Sequence, residues 1–553
     1  MRESAPPIPF GEVDEHAEQV MVPMRDGVRL ATDIYLCRTP SAPVVLIRLP
    51  YDKTAPFAFV PQIARYVVEH GYHFVAQDTR GKIRSEGETF AFVFEVQDGA
   101  DTLEWIESRS WCDGSVVMFG ESYYGFTQWA AAASGHPALK AIAPLLTSTE
   151  IGTDWMYHQG VFCLETMLGW GTDTWIDNPL YEIPHDHDWM RRPLADSTPA
   201  ILGGRRSASL DGWRTKPPSD SFWARGIFGD VDPLALRIPA LHTGGWWDVF
   251  RRGQMRDFHT AARNGAPGQH LRFEAIDHFS DQLQPDGSVQ DPAFVDSPAE
   301  IEAMMPRHLD PALQFFDHYV RGIGEAPPAV RWQLSNAETR ESATWPPEGS
   351  RPLRLFLGDA GAASSGPEGG ALLERREGSE TAVHWMHDPS DPVPTTVADV
   401  WRPLLGLPDE REVERRNDVM TFSADPVAEP LDIVGSVAAS LFVKAASRST
   451  HVMAKLVDVF PDGAARRITE GACLASDAVD GQLVSVDLSD IGYRLEAGHC
   501  LRLEVASSDF PRYMLHPGND QDPWTASGGE PVEQQVSVGG STDSRLKIHV
   551  LGK

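Results

Sequence analysis

Ser115-Val-Val-Met-Phe-Gly-Glu-Ser-Tyr-Tyr-Gly125 is the stretch around which the rest of the chain is read. Ser115 to Phe119 are mostly apolar and β-favouring, which predicts a strand buried on both faces. Gly120 removes a side chain where the backbone must turn sharply. Ser122 follows, and Phe126-Thr-Gln-Trp-Ala-Ala-Ala-Ala-Ser134 predicts a helix stopped by Gly135 and Pro137. A serine pinched between a buried strand and a helix is a nucleophile elbow. The turn exposes the hydroxyl at the sheet edge, and the helix N-terminus offers backbone N–H groups to a developing oxyanion. The general elbow is G-x-S-x-G; here the second glycine, Gly125, comes one place late. Alone, so short a pattern more often means a serine in an ordinary βα turn. Its strand-turn-helix setting favours the nucleophile.

Working outward, the same alternation continues. Residues 17–36 read as two strands about the turn Asp26-Gly27, a hairpin signal. Pro43 to Arg48 is a continuous apolar strand leading into Leu49-Pro-Tyr-Asp-Lys53. A helix over Pro61–Glu69, a strand over Tyr72–Gln77 and a helix over Asp98–Arg109 follow, and Leu139–Pro144 adds a strand beyond the elbow. Strand and helix in strict turn predict a doubly wound α/β sheet. The rhythm breaks from residue 148 to 237, a Trp- and Pro-rich stretch expected to be a helical cap inserted over the sheet. It resumes with Ile238–Thr243 and His270–Ile276, and a helix over Pro311–Arg321 closes the unit. From 329 to 553 short strands and turns such as Pro461-Asp-Gly463 predict a β-sandwich or jelly roll. The expected domains are therefore 1–147 and 238–328 for the α/β part, 148–237 for the cap and 329–553 for the β part.

Composition limits the function classes. The chain has 553 residues, too many for one core, and 42% hydrophobic content with sixteen Trp marks it as globular. A formal charge of −31 argues against nucleic acid or an anionic membrane as partner, although acidity is also a common solubility feature. Cys37, Cys112, Cys163, Cys473 and Cys500 are widely spaced and form no C-x-x-C pair, so neither a disulfide framework nor a zinc ribbon is expected. No apolar leader and no run of eighteen apolar residues is found, which predicts a cytoplasmic protein. A homo-oligomer is compatible with the sequence but not readable from it.

A serine nucleophile needs a base, and the base needs an acid to orient it. In α/β-hydrolase order these follow as Ser, Asp or Glu, then His, each just past a strand. Strand 238–243 runs into Gly244-Gly-Trp-Trp-Asp248, and strand 270–276 into Asp277-His278. One βαβ step separates Asp248 from His278; the longer gap back to Ser122 contains the cap. His242 lies inside its strand and reads as core, His259 sits on a helix, and Asp277 diverges from its neighbour His278. Taken singly, any Asp or His is more often structural. Strand-end position and chain order together select Asp248 and His278. His185-Asp-His-Asp188 has two histidines at i, i+2 but no further ligand cluster, so it reads as a solvated loop. No metal and no cofactor is expected. Asp78-Thr-Arg-Gly-Lys-Ile-Arg-Ser-Glu-Gly87 lacks a phosphate loop's spacing and reads as a loop beside the elbow.

These motifs resemble the cocaine esterase and X-prolyl dipeptidyl peptidase group (CocE/NonD type) of α/β-hydrolase serine hydrolases. The resemblance rests on Pro50-Tyr-Asp-Lys53, Gln77-Asp-Thr-Arg-Gly81 with Ser85-Glu-Gly87, and Asp98-Gly-Ala-Asp-Thr102. It rests also on Gly120-Glu-Ser-Tyr-Tyr-Gly125, Asp154-Trp-Met-Tyr157, Gly244-Gly-Trp-Trp-Asp248 and Ser507-Ser-Asp-Phe-Pro-Arg512. That family's form, G-x-S-Y-x-G, accounts for the late glycine. The resemblance implies Ser122, Asp248 and His278 as a triad, an oxyanion hole from the Tyr51 hydroxyl and the Tyr123 backbone N–H, and a C-terminal jelly roll. Where many members have G-P-W-x-H before the base, this chain has Ala275-Ile-Asp-His278. The expected activity is hydrolysis of an ester or amide through an acyl-enzyme, of carboxylesterase or acylase type, on a small-molecule ester, amide or short peptide. Trp155, Tyr157, Phe162 and Trp170 are expected either to line an apolar acyl pocket or to pack the cap. An X-prolyl dipeptidyl peptidase or α-amino acid ester hydrolase, a biosynthetic acyltransferase or cyclase, and a non-catalytic binding protein stay open as alternatives.

Overall fold

The computed structural model describes residues 7–181, 188–197, 200, 204–216, 220–223, 227–229, 231–235, 237–284, 287–290, 297–363, 369–406 and 408–552. His185 and His187 lie outside the described residues.

The first sheet is built from β1 (Glu18–Pro23), β2 (Arg29–Tyr35), β3 (Ala42–Leu49), β4 (His73–Asp78), β5 (Cys112–Glu121) and β6 (Leu139–Leu145). It continues with β7 (Ala240–Gly245), β8 (Gln269–Glu274), β9 (Val330–Gln333) and β10 (Thr339–Ser342). Their spatial order is β1-β2-β4-β3-β5-β6-β7-β8-β9-β10. From β4 across to β9 every pairing is parallel; the two edge hairpins, β1–β2 and β9–β10, are antiparallel, and β2 also runs antiparallel to β4. β3 is buried along its whole length, as a strand covered on both faces must be. Helices α1 (Val60–Glu69), α2 (Glu95–Glu107) and α3 (Ser122–Ala133) make the crossovers around β5. This is the α/β-hydrolase fold, with the carboxyl ends of β5, β7 and β8 on one side.

Two boundaries differ from the sequence reading. Residues 330–342, expected in the β domain, pair onto the first sheet as β9 and β10, so the second sheet begins at Ser350. A single parallel strand followed by a hairpin reads like any other short strand until its partner is known. The helix expected over 311–321 runs instead from Pro298 to Phe316, followed by a π-helical turn at Asp317–Arg321. Ser297 and Glu300 form a capping box at its start, and Pro306 and Pro311 lie inside it. Pro311 looked like a first-turn proline because prolines inside helices are costly.

Between β6 and β7 the described part of the cap contains a π-helical turn (Ile151–Met156), helix α4 (Leu164–Thr174) and helix α5 (Ala208–Arg214). The C-terminal jelly roll follows; its longest strand, Leu431–Ala445, pairs along one edge with Gln482–Leu495. Along the other edge it pairs with Arg545–Leu551 and then Val532–Val538. One of the two large hydrophobic clusters spans both domains, joining Trp246, Leu271 and Phe273 to jelly-roll residues such as Leu355 and Ile433. Trp246, just past β7, is fully buried, donates its indole N–H to Gln333 O at 2.7 Å and lies 5.1 Å from the Trp345 ring. No helix among the described residues is long and apolar enough to cross a membrane.

Candidate active site

Ser122 is the first residue of α3, directly after β5. Its φ of 55° lies in the left-handed region, which a non-glycine residue enters only when its surroundings hold it there. Those surroundings are tight. Gly120 has φ 140°, and a Cβ on it would meet Tyr124 Cβ at 2.8 Å. Ser122 N–H donates to Leu146 O at 3.2 Å. A Cβ on Gly125 would stand 2.4 Å from Thr147 Cγ2 and 3.1 Å from Leu145 O. The late glycine is therefore the point where the first turn of α3 closes on the end of β6.

His278 joins the elbow from the turn after β8 and Asp248 from the turn after β7. His278 Nδ1 is 2.6 Å from Asp248 Oδ2, and Nε2 is 3.1 Å from Ser122 Oγ. A carboxylate only accepts, so Nδ1 carries the proton and Nε2 presents its lone pair to the serine hydroxyl. Asp248 Oδ1 is occupied by the Phe250 N–H at 2.8 Å, which fixes the carboxylate plane. Burial opposes charge on the imidazole, yet the Asp248 carboxylate outweighs it and holds His278 above its ordinary pKa. Glu121 and Asp399 act in the same direction.

Tyr51 comes from the loop after β3. That loop is anchored by buried Lys53, whose ammonium pairs with Asp78 at 2.7 Å. The phenol oxygen accepts the Trp170 indole N–H at 2.8 Å. Burial pushes Tyr51 up to about 12 against the hydrogen bonding of its oxygen, so it keeps its proton and can donate. Tyr123, second in α3, has one of the backbone N–H groups that a helix start leaves without an intrahelical partner. Its side chain points elsewhere, donating to Glu95 Oε1 at 2.8 Å and accepting the Phe92 N–H at 2.9 Å.

The four cap aromatics divide into two pairs. Trp170 touches Tyr51, and Trp155 lies 4.9 Å from Trp170 and stacks on Phe250 at 4.8 Å; Phe250 in turn is 5.7 Å from His278. Tyr157 and Phe162 instead contact each other at 5.2 Å, and Phe162 packs on Trp524 at 4.7 Å. Sequence reading missed Phe250 and Trp401, whose ring is 4.9 Å from His278. Phe250 had a signal, lying two residues after a strand-end Asp; Trp401 had none. His242 is a buried core residue bonded to Gln269 at 2.9 Å.

Residues 26–280 match the family model described as X-Pro dipeptidyl-peptidase (S15 family). Residues 321–547 match that of the X-Pro dipeptidyl-peptidase C-terminal non-catalytic domain. Cocaine esterase of Rhodococcus sp. (strain MB1 Bresler) is 33% identical over 545 residues, covering 90% of this chain and 91% of that protein. Among solved structures, an aminopeptidase from the marine sediment archaeon Thaumarchaeota archaeon superposes with a TM-score of 0.79 at 22% identity, over 99% of both chains. An α-amino acid ester hydrolase gives 0.78 at 22% identity, over 99% of this chain and 98% of that one. At such identity these two structures speak for the shared fold. The cocaine esterase match runs through α/β domain, cap and jelly roll alike, and the chain belongs to the S15 family of serine hydrolases, in the cocaine-esterase group of α/β-hydrolase enzymes.

Proposed function

We propose that Ser122, His278 and Asp248 hydrolyse a small carboxylic ester through an acyl-enzyme. The relay from Asp248 through His278 to Ser122, at 2.6 and 3.1 Å, carries this reading. His278 Nε2 takes the Ser122 proton as Oγ attacks the carbonyl carbon. The oxygen that becomes negative is met by the Tyr51 hydroxyl and the Tyr123 N–H, donors already in place before charge develops. His278 then returns the proton to the leaving alkoxide, and a second cycle with water in place of serine frees the acid. Trp155, Trp170 and Phe250 supply aromatic surface between Tyr51 and His278, which suits an apolar or aromatic acyl group. Labelling by a fluorophosphonate probe tests the nucleophile: wild type labelled and Ser122→Ala unlabelled is the expected result. Labelling that persists in Ser122→Ala removes Ser122 from the mechanism.

A second substrate class is supported by Glu165, on the same cap helix as Trp170. Its Oε2 is buried without a hydrogen-bond partner, and burial pushes the carboxyl up to about 7. Asp399 acts on both Glu165 and His278. A carboxylate so placed suits the amine of an α-amino ester or of a peptide N-terminus. Comparing nitrophenyl esters, amino acid esters and prolyl anilides, with and without added amine acceptors, separates the classes. Preference for the simple esters supports the first, and preference for amine-bearing substrates the second.

A further inference from the structure

β8 ends at Glu274, so the parallel ladder stops four residues before His278. Beyond it the chain makes a narrow turn through Ser280, at φ 63° in the left-handed region. Asp277 organises this turn. Its Oδ1 accepts the N–H groups of Phe279 at 3.2 Å and Asp281 at 3.1 Å. A second segment then meets the turn from the C-terminal domain. His278 N–H donates to Trp401 O at 3.2 Å, and the Trp401 ring lies against the imidazole at 4.9 Å. Leu404 N–H donates to Asp277 Oδ2 at 3.3 Å. Arg402 grips Asp281 with both arms, Nε to Oδ2 and Nη2 to Oδ1, each at 2.8 Å.

We propose that Trp401–Leu404 is a clasp that positions His278, with Arg402 as the positioning residue acting through Asp281 and Asp277. The proposal rests on the reading of His278 as general base. It gives the domain known by family as non-catalytic a part in the geometry of the reaction.

The physical case is the pairing of two carboxylates. Asp277 and Asp281 are both fully buried and next to one another. Two such groups in contact cannot both ionise without strong repulsion, so one stays neutral and the other is a buried anion that needs a cation, and the turn that carries the base is drawn between them. The bidentate guanidinium neutralises Asp281 in the geometry that suits a carboxylate best. Burial, followed by the charge of Asp281, pushes Asp277 up to about 9, so it retains its proton at neutral pH. Without Arg402 the pair lacks its cation, and the turn relaxes toward water. His278 must satisfy Asp248 and Ser122 at once, so even a small displacement breaks the relay. The carboxylates facing the imidazole are Asp248 in contact, then Glu121 and Asp399. Asp277 and Asp281 flank it along its own turn.

The test compares Arg402→Met, Arg402→Lys and Ser122→Ala on one nitrophenyl ester, reading kcat, KM, the acid limb of kcat/KM and the melting temperature. The Met variant is expected to lose kcat by roughly 10–100-fold, with KM within about 2-fold. Its acid limb moves down as His278 loses its fixed contact with Asp248. Lysine, a cation without the fork, recovers part of the rate. A folded Met variant with wild-type kcat and pH limb, beside an inactive Ser122→Ala, overturns the clasp and leaves the triad standing. Should the Met variant fail to fold, the Lys variant decides: a reduced kcat with a shifted acid limb supports the clasp, and wild-type values overturn it. Activity retained in Ser122→Ala overturns the triad reading and the clasp with it.

Discussion

Trp170 donates its indole N–H to the Tyr51 phenol oxygen at 2.8 Å, across 119 residues of sequence. A hydroxyl that accepts a hydrogen bond is polarised and donates a stronger one. The cap helix α4 thus acts on Tyr51, the proposed oxyanion donor, as well as bounding the site. Stacking on Trp213, with centroids 5.7 Å apart and planes 7° apart, holds the indole in place.

Tyr51→Phe keeps the ring and deletes the donor. We expect kcat to fall by roughly 10²–10³, with KM changed much less. Trp170→Phe keeps an aromatic ring but removes its N–H, and the expected loss is about 3–10-fold, on the scale of one neutral hydrogen bond. In the Tyr51→Phe background the second change should cost little more, because the bond it deletes has already lost its acceptor. Steady-state kinetics of the four proteins check this.

Ser122→Ala should lower kcat by roughly 10⁴-fold or more. Ser122→Gly should be equally inactive, and the two should separate in stability. At φ 55° alanine bears the left-handed penalty and glycine does not. After allowance for glycine's greater freedom when unfolded, the glycine variant should be the more stable by roughly 0.5–1 kcal/mol. Urea unfolding midpoints read the difference, and equal midpoints would show that the elbow carries no strain.

His278, as the proposed base, is active only when neutral. Its pKa is held above the ordinary 6.5, so kcat/KM should fall with decreasing pH through a limb above that value. Asp248→Asn should move the limb downward, because burial is then opposed only by the charges of Glu121 and Asp399, and kcat should drop by roughly 10⁴. For stability the sign is reversed. The contribution of the His278–Asp248 pair is fully present below the unfolded pKa and is lost as pH rises through the raised one. A pH–rate profile of both proteins, with melting temperatures at each pH, tests the two halves together.

Gly125→Ala should destabilise the fold by roughly 1–3 kcal/mol, since its Cβ would lie 2.4 Å from Thr147 Cγ2 and 2.6 Å from Thr147 Cβ. The strain falls within α3, so activity should drop as well. A variant as stable and active as wild type would show that the late glycine has no steric purpose.

What the sequence by itself determined was local or periodic. Strand, glycine, serine and helix lie within twenty residues, so the elbow was readable from backbone preference alone. Asp248 and His278 were readable because in a parallel sheet each strand's carboxyl end opens on the same side, whatever lies between. The role proposed for Tyr51 required the family resemblance, since nothing in its own surroundings marks a loop tyrosine as a donor. Tertiary structure alone decided the contacts between distant segments. Trp170 reaches Tyr51 only because α4 folds back onto the loop after β3. Trp401 and Arg402 meet the His278 turn only because the jelly roll packs against the end of β8. Asp277, an unexplained acid beside the base, gains its meaning from Leu404 and Asp281. Hydrogen-bond partners that far apart leave no period and no spacing in a sequence; they exist only once packing has brought the chain together.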